Sequence, residues 1–388
     1  MPGSVLAGLV VTAALSVGNL CHGAVTLVDY FDLQSYGTVS GGQTITDALG
    51  NAQATLNTDA NTSLTSNGLT ISGGNSRNTG LTLAAGSLNS FTGSFRGNGA
   101  SIPNQAYCDK FYNRTADLIK KYHPDLIYFD DTALPLWPIS DAGLKIAADF
   151  YNTNEKLHGD NGVLFGKILT PEQRKCMTWD IERGQANEIE PQPWQTDTCI
   201  GYWHYDRALY NRNGYKDAKT VIQMLADIVS KNGNLLLNIP VRGDGTIDDK
   251  ELKVVEGIAD WMDVNKECIF GTRPWKAFGE GPASAGAKLT AQGFNEGKGK
   301  PLTSEDIRFT QKDSTLYAIV LGAPTNGVSI KSLGKSAGLL DKKIKRVKLL
   351  GSGEQLHWKQ EQDALTISQP EKIPNQFAIV FKLVLGGK

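Results

Sequence analysis

The chain has 388 residues, of which 40% are hydrophobic and 20% are charged, and its formal net charge is −1. This length fits one large domain or two to three ordinary soluble domains. Because nucleic-acid-binding domains carry a basic surface, the near-neutral charge argues against a nucleic acid as partner.

The composition changes sharply near residue 100. Residues 1–100 contain no Lys, Glu or Trp and only two basic residues, Arg77 and Arg96, whereas the other 37 of the 39 Lys and Arg residues follow them. A single globular domain rarely changes composition so abruptly. We therefore predict a domain boundary at residues 101–105.

The chain begins with an apolar run of signal-peptide length. The run LAGLVVTAALSVGNL is followed by Cys21-His22-Gly23-Ala24, which is typical of an export signal with a small-residue cleavage site. We expect residues 1–24 to be a signal peptide and the mature protein to be secreted or periplasmic. A buried first strand or helix is the alternative. No later run reaches the ~18 apolar residues of a membrane-spanning helix.

Residues 25–104 are rich in Gly, Ser, Thr and Asn. Short runs such as GLTISG and GLTLAAG alternate apolar and polar residues, as in β-strands joined by polar turns. We predict a β-rich segment or linker here, without a catalytic role.

From residue 105 onward, helical and strand patterns alternate. The first helix, AYCDKFYNRTADLIKKY, ends before Pro124. The predicted strands are DLIYFD, GVLFGKI, CMTWDIERG, TCIGYWHY and NLLLNIP, and the further helices are SDAGLKIAADFYNTNEKL, DAKTVIQMLADIVSKNG and DDKELKVVEGIADWMDVNKE. Gly233 is expected to end the second of these helices as its C′ residue. Such alternation indicates a parallel sheet.

After Trp275 the pattern changes to strands alone. Alternating runs separated by turn residues are RFTQKDSTLYAIVLG, KRVKLLGSG, ALTISQ and QFAIVFKLVLG. We predict that residues 281–388 form an antiparallel β-sandwich.

Two of the predicted parallel strands end in carboxylates. Asp130 and Asp131 follow LIYF, and Glu182 ends TWDIE. In (β/α) barrels the catalytic groups lie at the carboxyl ends of the strands, around one pocket. Retaining glycoside hydrolysis uses two carboxylates about 5–5.5 Å apart. Asp130 and Glu182 are 52 positions apart, under two βα units of about 30 residues each, so their side chains can face one pocket.

Aromatic residues near these strand ends suit a site that stacks on sugar rings. They are Trp137, Trp179, Trp194, Trp203 and Tyr205. Acids at strand ends also serve as helix caps and salt-bridge partners, and the charge pattern alone leaves that alternative open.

Four stretches of the sequence resemble the α-L-fucosidases of glycoside hydrolase family 29. They are PDLIYFDD, TWDIERG, PWQTDTCIGYWHY and DIVSKNGNLLLNIPVRGDGTIDDKELKVVEGIADWM, of which the last is long and ungapped. The similarity covers about residues 105–280, and the β-rich region that follows is also as the family has it. The resemblance implies a retaining exo-glycosidase that removes terminal α-L-fucose from fucosylated oligosaccharides or glycoconjugates.

The resemblance also implies roles for individual residues. The family's nucleophile is an Asp that closes a strand of the W/Y-F-D type, which corresponds to Asp130. Position assigns the proton donor to Glu182, with Glu188 and Glu190 as competitors. Asp131 is then expected to tune the nucleophile or to bind a sugar hydroxyl. The weaker candidates for the pocket wall are Trp194, Trp203 and His204.

The barrel is expected to be incomplete. A (β/α) barrel takes about 250 residues and at least about 200, whereas residues 105–275 give about 170 and five strands. The expected fold is therefore α/β: an incomplete (β/α) TIM-type barrel half at 105–280, then a C-terminal antiparallel β-sandwich at 281–388, after a β-rich N-terminal leader. The missing strands are expected to impair activity.

Two other functions remain open at this point. One is a non-catalytic carbohydrate-binding or surface protein derived from a fucosidase, and the other is a glycosidase for a different sugar, which would use the same carboxylates. The loop RGDGTIDDKE resembles a calcium loop, but Pro240 and Arg242 fall at its first and third ligand positions and cannot bind Ca²⁺. We predict a tight turn and a capped helix start there. The five histidines lack metal-ligand spacing, so we expect neither a metal nor a cofactor.

Overall fold

The structure of the protein is a computed structural model. It describes residues 103–130, 135–136, 139–159, 162–286, 288–290 and 294–387, together with the backbone of seven short strands before them. Apart from Leu9–Val10, the predicted signal peptide, 1–24, lies outside the described residues, as does much of the 25–104 segment. The chain forms two compact units, one of residues 1–121 and 136–149 and the other of residues 122–135 and 150–388.

Within the described residues, the first unit contains seven short strands that pair antiparallel. They are β1 (Leu9–Val10), β2 (Tyr30–Phe31), β3 (Thr44–Thr46), β4 (Gln53–Asn57), β5 (Thr62–Thr65), β6 (Gly68–Ile71) and β7 (Gly80–Leu83). The runs GLTISG and GLTLAAG contain β6, which pairs with β5, and β7, which pairs with β4. The helix α1 (Gln105–Tyr122) follows these strands.

The second unit contains a five-stranded parallel sheet. Its strands are β8 (Leu126–Phe129), β9 (Val163–Lys167), β10 (Thr178–Glu182), β11 (Trp194–Cys199) and β12 (Gly233–Asn238), which lie side by side in chain order. Every neighbouring pair is parallel. Parallel strands in consecutive order form the wall of a (β/α) barrel. The predicted parallel half-barrel of five strands is thus confirmed.

In the described residues, α-helices lie in two of the four connections between these strands, β8 to β9 and β11 to β12, and another helix follows β12. These helices are α2 (Ala142–His158), α3 (Arg207–Asn211), α4 (Ala218–Ser230) and α5 (Asp249–Asn265), with short 3₁₀ turns at Gln173–Lys175, Lys266–Cys268, Lys331–Leu333 and Lys335–Ala337. Residues 183–193, which join β10 to β11 and are all described, contain no helix. In the described part of the chain no helix is both long enough and apolar enough to cross a bilayer.

The start of α5 is formed as predicted by a tight turn and a capped end. The Arg242 N–H donates to the Thr246 carbonyl at 2.8 Å, and Gly245 takes the left-handed φ of +83° that this turn requires. The Asp248 side chain then accepts from the backbone N–H of Glu251, while the Glu251 side chain accepts from the Asp248 N–H, which forms a capping box.

The end of α4 differs from the prediction for Gly233. The left-handed residue there is Asn232, with a φ of +72°, and Gly233 is the first residue of β12. The Gly233 backbone lies so close to Trp194 that a Cβ atom would come within 2.6 Å of the indole ring. Glycine is therefore needed at this position for close packing rather than for helix termination.

Two antiparallel sheets form the C-terminal part. One has five strands in the order β13 (Arg273–Glu280), β14 (Ile307–Lys312), β15 (Thr315–Val320), β20 (Ile379–Leu385) and β17 (Ile344–Leu349). The other has three in the order β16 (Val328–Ile330), β19 (Leu365–Ile367) and β18 (Trp358–Gln360). Buried side chains from both sheets, such as Phe309, Phe381 and Leu365, belong to one hydrophobic core.

The five-stranded C-terminal sheet also packs on the helices of the half-barrel. Residues alternate along β15, so that Leu316 and Ala318 face the core between the two C-terminal sheets, whereas Tyr317 and Ile319 pack with Ile222 of α4. The Trp261 indole of α5 donates to the Ala378 carbonyl at 2.9 Å. These contacts fix α4 and α5 between the parallel sheet and the C-terminal sheets.

Candidate active site

The register of the parallel strands brings charged side chains to one face of the sheet. Lys167 at the end of β9 is aligned with Asp180 of β10, and Glu182 of β10 is aligned with Asp197 of β11. Aligned residues of neighbouring strands point to the same face, and residues two apart share it. Lys167, Asp180, Glu182 and Asp197 therefore share what we call the inner face, close to Asp130, which follows β8.

Lys167 is the centre of this cluster. Its ammonium lies 2.8 Å from Asp130 Oδ1, 3.1 Å from Asp197 Oδ2, 3.2 Å from Glu182 Oε2 and 3.9 Å from Asp180 Oδ2. Burial opposes the charged form, but the hydrogen bonds to Asp130 and Asp197 outweigh it and raise the pKa of Lys167 above its ordinary value. The lysine is therefore a fixed positive charge among four carboxylates.

Asp130 and Glu182 lie close together because both contact the same nitrogen. Their distances from Lys167 Nζ, 2.8 and 3.2 Å, limit the separation of the two carboxylate oxygens to about 6 Å at most, close to the 5–5.5 Å of retaining glycosidases and below the 6.5–9.5 Å of inverting ones. Their side chains are 78% and 31% exposed, whereas those of Asp197 and Asp180 are 8% and 0% exposed. Two acids thus face solvent and two lie beneath them.

The buried Asp180 is held by neutral hydrogen-bond donors. Asp180 accepts from the Gln195 amide at 2.8 Å and from the Tyr128 hydroxyl at 3.0 Å. Burial, with the Asp197 charge adding to it, raises the pKa of Asp180 to about 7 despite these hydrogen bonds. Burial and the nearby carboxylates also raise the pKa of Tyr128, so its hydroxyl stays protonated. The Tyr128 oxygen is also 3.3 Å from Asp130 Oδ1 and from Asp197 Oδ2.

Three other predicted site residues are Trp203, His204 and Asp131. Trp203 and His204 are exposed in the loop that follows β11, at the carboxyl edge of the sheet, and the Trp203 carbonyl accepts from Asn238 Nδ2 at 3.1 Å. Asp131 lies outside the described residues.

Trp194 does not fit the predicted pocket wall. It begins β11, at the opposite edge of the sheet, is 1% exposed, and donates its indole N–H to the Lys231 carbonyl at 2.9 Å. Neighbouring residues of a strand face opposite ways, so Trp194 belongs to the outer face. Its large apolar ring serves packing there.

The two competing proton donors also lie elsewhere. Glu188 pairs with Lys288 at 3.2 Å, and Glu190 lies 4.0 Å from the Arg174 guanidinium. The Glu190 backbone N–H donates to the Lys231 carbonyl, near the amino end of β12. Among the three glutamates considered, the structure places Glu182 beside Asp130.

Sequence reasoning missed the residues that support the two exposed acids. These are Tyr128, Lys167, Asp180, Gln195 and Asp197. The lysine at the end of the apolar strand GVLFGKI could have indicated nearby acids, because a buried ammonium needs carboxylate partners. Asp180 stands two residues before Glu182 and so shares its face.

The chain is similar to known α-L-fucosidases. A model of the alpha-L-fucosidase family matches residues 73–267, and a model of the alpha-L-fucosidase C-terminal domain matches residues 300–384. Tissue alpha-L-fucosidase of Rattus norvegicus is 22% identical over 277 residues, which is 68% of this chain and 52% of that protein. That of Homo sapiens is 26% identical over 286 residues, which is 69% of this chain and 53% of that protein. The chain thus spans about half the length of the curated relatives it matches.

Solved structures agree on the fold. An alpha-fucosidase of Thermotoga maritima in complex with fucose superposes with a TM-score of 0.53 at 23% identity, over 72% of this chain and 57% of that one. A trapped covalent intermediate of a GH29 alpha-L-fucosidase from Bacteroides thetaiotaomicron gives a TM-score of 0.53 at 16% identity, over 74% of this chain and 64% of that one. The half-barrel and the antiparallel sheets that follow it thus have the arrangement of fucosidase structures.

Proposed function

We propose that this chain, which belongs to the alpha-L-fucosidase family, hydrolyses terminal α-L-fucose from fucosylated oligosaccharides or glycoconjugates and retains the configuration at the anomeric carbon. The observation that carries the proposal is the shared contact of Asp130 and Glu182 with Lys167. It keeps the two carboxylates within the short separation that a covalent glycosyl intermediate needs.

In the first step Asp130 acts as the nucleophile and Glu182 as the acid. An Asp130 oxygen forms a bond to the anomeric carbon, the glycosidic bond breaks, and its electron pair goes to the leaving oxygen, which takes the proton of Glu182. In the second step Glu182 takes a proton from water, the water oxygen attacks the anomeric carbon, and Asp130 leaves as a carboxylate. Fucose is released and both side chains regain their starting states.

Lys167 positions both groups. Its 2.8 Å contact with Asp130 fixes one carboxylate oxygen and stabilises the negative charge that returns when the ester is cleaved. One ammonium cannot neutralise four carboxylates, so mutual repulsion favours a proton within the cluster. Glu182 is the partly exposed acid through which such a proton can reach the leaving oxygen.

We extend the proposal to the parts of the chain around this site. The two C-terminal sheets form the predicted β-sandwich, an interpretation supported by the core that they share. Residues 1–24 act as an export signal for a secreted or periplasmic enzyme, which the apolar run and the small residues after it support. Trp203 and His204 line the sugar site, since their loop follows β11 at the edge where Asp130 and Glu182 lie.

A sugar-binding protein without catalysis would not need Asp130 and Glu182 on one ammonium, so that alternative is not favoured.

Hydrolysis of p-nitrophenyl α-L-fucoside by the full chain tests the proposal. We expect turnover, release of α-L-fucose as the first product by NMR, and a rate reduced about 10³-fold or more in Asp130→Asn. Asp363→Asn, the same exchange at an exposed site in the C-terminal part, is the matched control and should leave the rate unchanged. Absence of turnover in the wild-type chain, or equal rates in Asp130→Asn and wild type, would contradict the proposal.

A further inference from the structure

A groove of about 860 Å³ runs along helix α4. One wall is the face of α4 and its flanks that carries Lys219, Gln223, Asp227 and Lys231. The opposite walls are residues 184–188, which follow β10, and described residues of the 278–308 region that include Phe278, Ser284 and Arg308. We call this cavity the α4 groove. Its volume lies within the 300–1,000 Å³ of small-molecule sites.

The α4 groove lies on the outer face of the parallel sheet. In β11, Asp197 points to the inner face and contacts Lys167 at 3.1 Å. The next residue, Thr198, points the other way and donates its hydroxyl to Glu296, which also pairs with Lys216 at 2.6 Å. Lys216 and Glu296 line the α4 groove. The groove and the candidate active site are therefore separated by the sheet.

Positive charge is concentrated in the α4 groove. Three acids line it, Glu188, Asp227 and Glu296. The basic residues that line it number seven: Lys216, Lys219, Lys231, Lys288, Lys298, Lys300 and Arg308. The whole chain carries a formal charge of −1, so this excess is local. A groove with such an excess attracts anions.

Two of the cations are deeply buried and share one carboxylate. Lys231 and Arg308 are 5% and 2% exposed, and they contact Asp227 at 2.7 and 2.6 Å. Burial lowers the pKa of Lys231, with the Asp227 charge opposing and the Arg308 charge adding to the shift. A structural bridge between α4 and β14 needs only one cation for one acid. The second cation leaves an excess charge that a bound anion would neutralise.

The local fold keeps this space open. The crossover from β10 to β11, residues 183–193, contains no helix although every residue of it is described. A crossover helix normally covers the outer face of a parallel sheet with apolar side chains. Here basic side chains line the space beside that crossover, and the Phe278 ring lies 4.8 Å from the Lys231 ammonium and 5.5 Å from the Arg308 guanidinium.

We propose that the α4 groove binds an acidic saccharide, through an oxyanion of the sulfate-ester or carboxylate class that reaches Lys231 and Arg308. Lys219 and Lys300, which are more exposed, would attract the ligand at the mouth. The oxyanion part of the proposal follows from the charges alone. The saccharide part rests on the proposed function, because an enzyme that acts on glycans meets acidic sugars on its substrates.

Titration calorimetry on the full chain tests this site without depending on hydrolysis. The probes are N-acetylglucosamine 6-sulfate and glucuronic acid, neither of which contains fucose, with neutral N-acetylglucosamine as the uncharged control. We expect at least one acidic probe to bind and the neutral sugar not to bind. The probe that binds identifies the group as a sulfate ester or a carboxylate. Affinity should fall with added salt, since the attraction is electrostatic.

Variants assign the binding to the groove. The double variant Lys219→Ala/Lys300→Ala changes exposed or half-exposed side chains and should weaken binding about tenfold, whereas Lys335→Ala, an exposed lysine of the C-terminal part, should not. Arg308→Lys keeps the buried charge and gives a second test, since loss of the planar guanidinium should also weaken binding. The proposal would be overturned if neither acid binds saturably, if the neutral sugar binds equally well, or if Lys335→Ala and the double variant have equal effects. Hydrolysis of p-nitrophenyl α-L-fucoside tests the proposed function separately, because that assay does not depend on binding in the α4 groove.

Discussion

Asp180 makes the stability of the protein depend on pH in a defined direction. Burial raises the pKa of this carboxyl from 3.8 to about 7, whereas the unfolded chain keeps the ordinary value. Between about pH 4 and pH 7 the folded protein therefore holds a proton that the unfolded chain has lost, and the free energy of unfolding falls as the pH rises. A difference of about 3 pKa units at 1.36 kcal/mol each gives about 4 kcal/mol at and above pH 8.

The substitution Asp180→Asn should remove this dependence. The amide is neutral at every pH, has nearly the same shape and keeps an oxygen that can accept from Gln195. We expect the variant to be more stable than the wild type at pH 8 by up to about 4 kcal/mol, and the difference to shrink as the pH falls toward 4. Urea unfolding followed by tryptophan fluorescence at pH 4.5, 6, 7 and 8 measures it, with Asp363→Asn as the exposed control.

A loss of stability in Asp180→Asn that does not change with pH would refute the reasoning from burial. If Asp180→Asn destabilises the protein by the same amount at every pH, then wild-type Asp180 is ionised throughout. In that case Lys167, Gln195 and Tyr128 stabilise the charge more than burial opposes it, and the reasoning from burial is refuted.

Substitutions at three further positions test other parts of the structure. Lys167→Met leaves buried carboxylates without their cation and should lower the free energy of unfolding by about 3–5 kcal/mol, measured by urea denaturation, while Lys167→Arg keeps the charge and should lose less. Glu182→Gln should slow the cleavage of a fucosyl oligosaccharide about 10²–10⁴-fold but spare the first step with p-nitrophenyl α-L-fucoside, whose leaving group needs no proton; equal losses in stopped-flow assays would contradict this. Gly233→Ala places a Cβ within 2.6 Å of the Trp194 ring and should cost about 1–3 kcal/mol in thermal unfolding, whereas no loss would show that the ring moves easily.

The parallel half-barrel was predictable because its strands have strong local patterns. Apolar runs such as LIYF and LLLN are bounded by helices with clear starts, and Asp217 and Asp248 cap two of those helices as their sequences suggest. The error at Gly233 arose from a tertiary contact. A glycine after a helix is usually the C′ residue of that helix. Only the packing of Trp194 shows that Gly233 is needed because a side chain would collide with the indole ring.

The positions of Asp130 and Glu182 were predictable, but the network of side chains beneath them was not. Asp130 and Glu182 end predicted strands, so their position followed from the chain alone. Their connection through Lys167 depends on the register of β9 with β10, which no local pattern specifies. The same limit explains Trp194, because deciding which face it occupies requires knowing where β11 begins.

Because side chains alternate along β11, acidic groups lie on one face of the sheet and basic groups lie on the other. Asp197 joins the acidic cluster of the inner face, and Thr198 joins the basic outer face through Glu296 and Lys216. An anion in the α4 groove would therefore lie across one sheet from Asp180 and, by repulsion through a medium less polar than water, would favour the protonated form of that acid. Linkage between two sites is reciprocal, so protonation of Asp180 must in turn favour anion binding in the α4 groove. If the anion binds, the proposed ligand and the proposed catalytic cluster would thus be coupled electrostatically across the sheet.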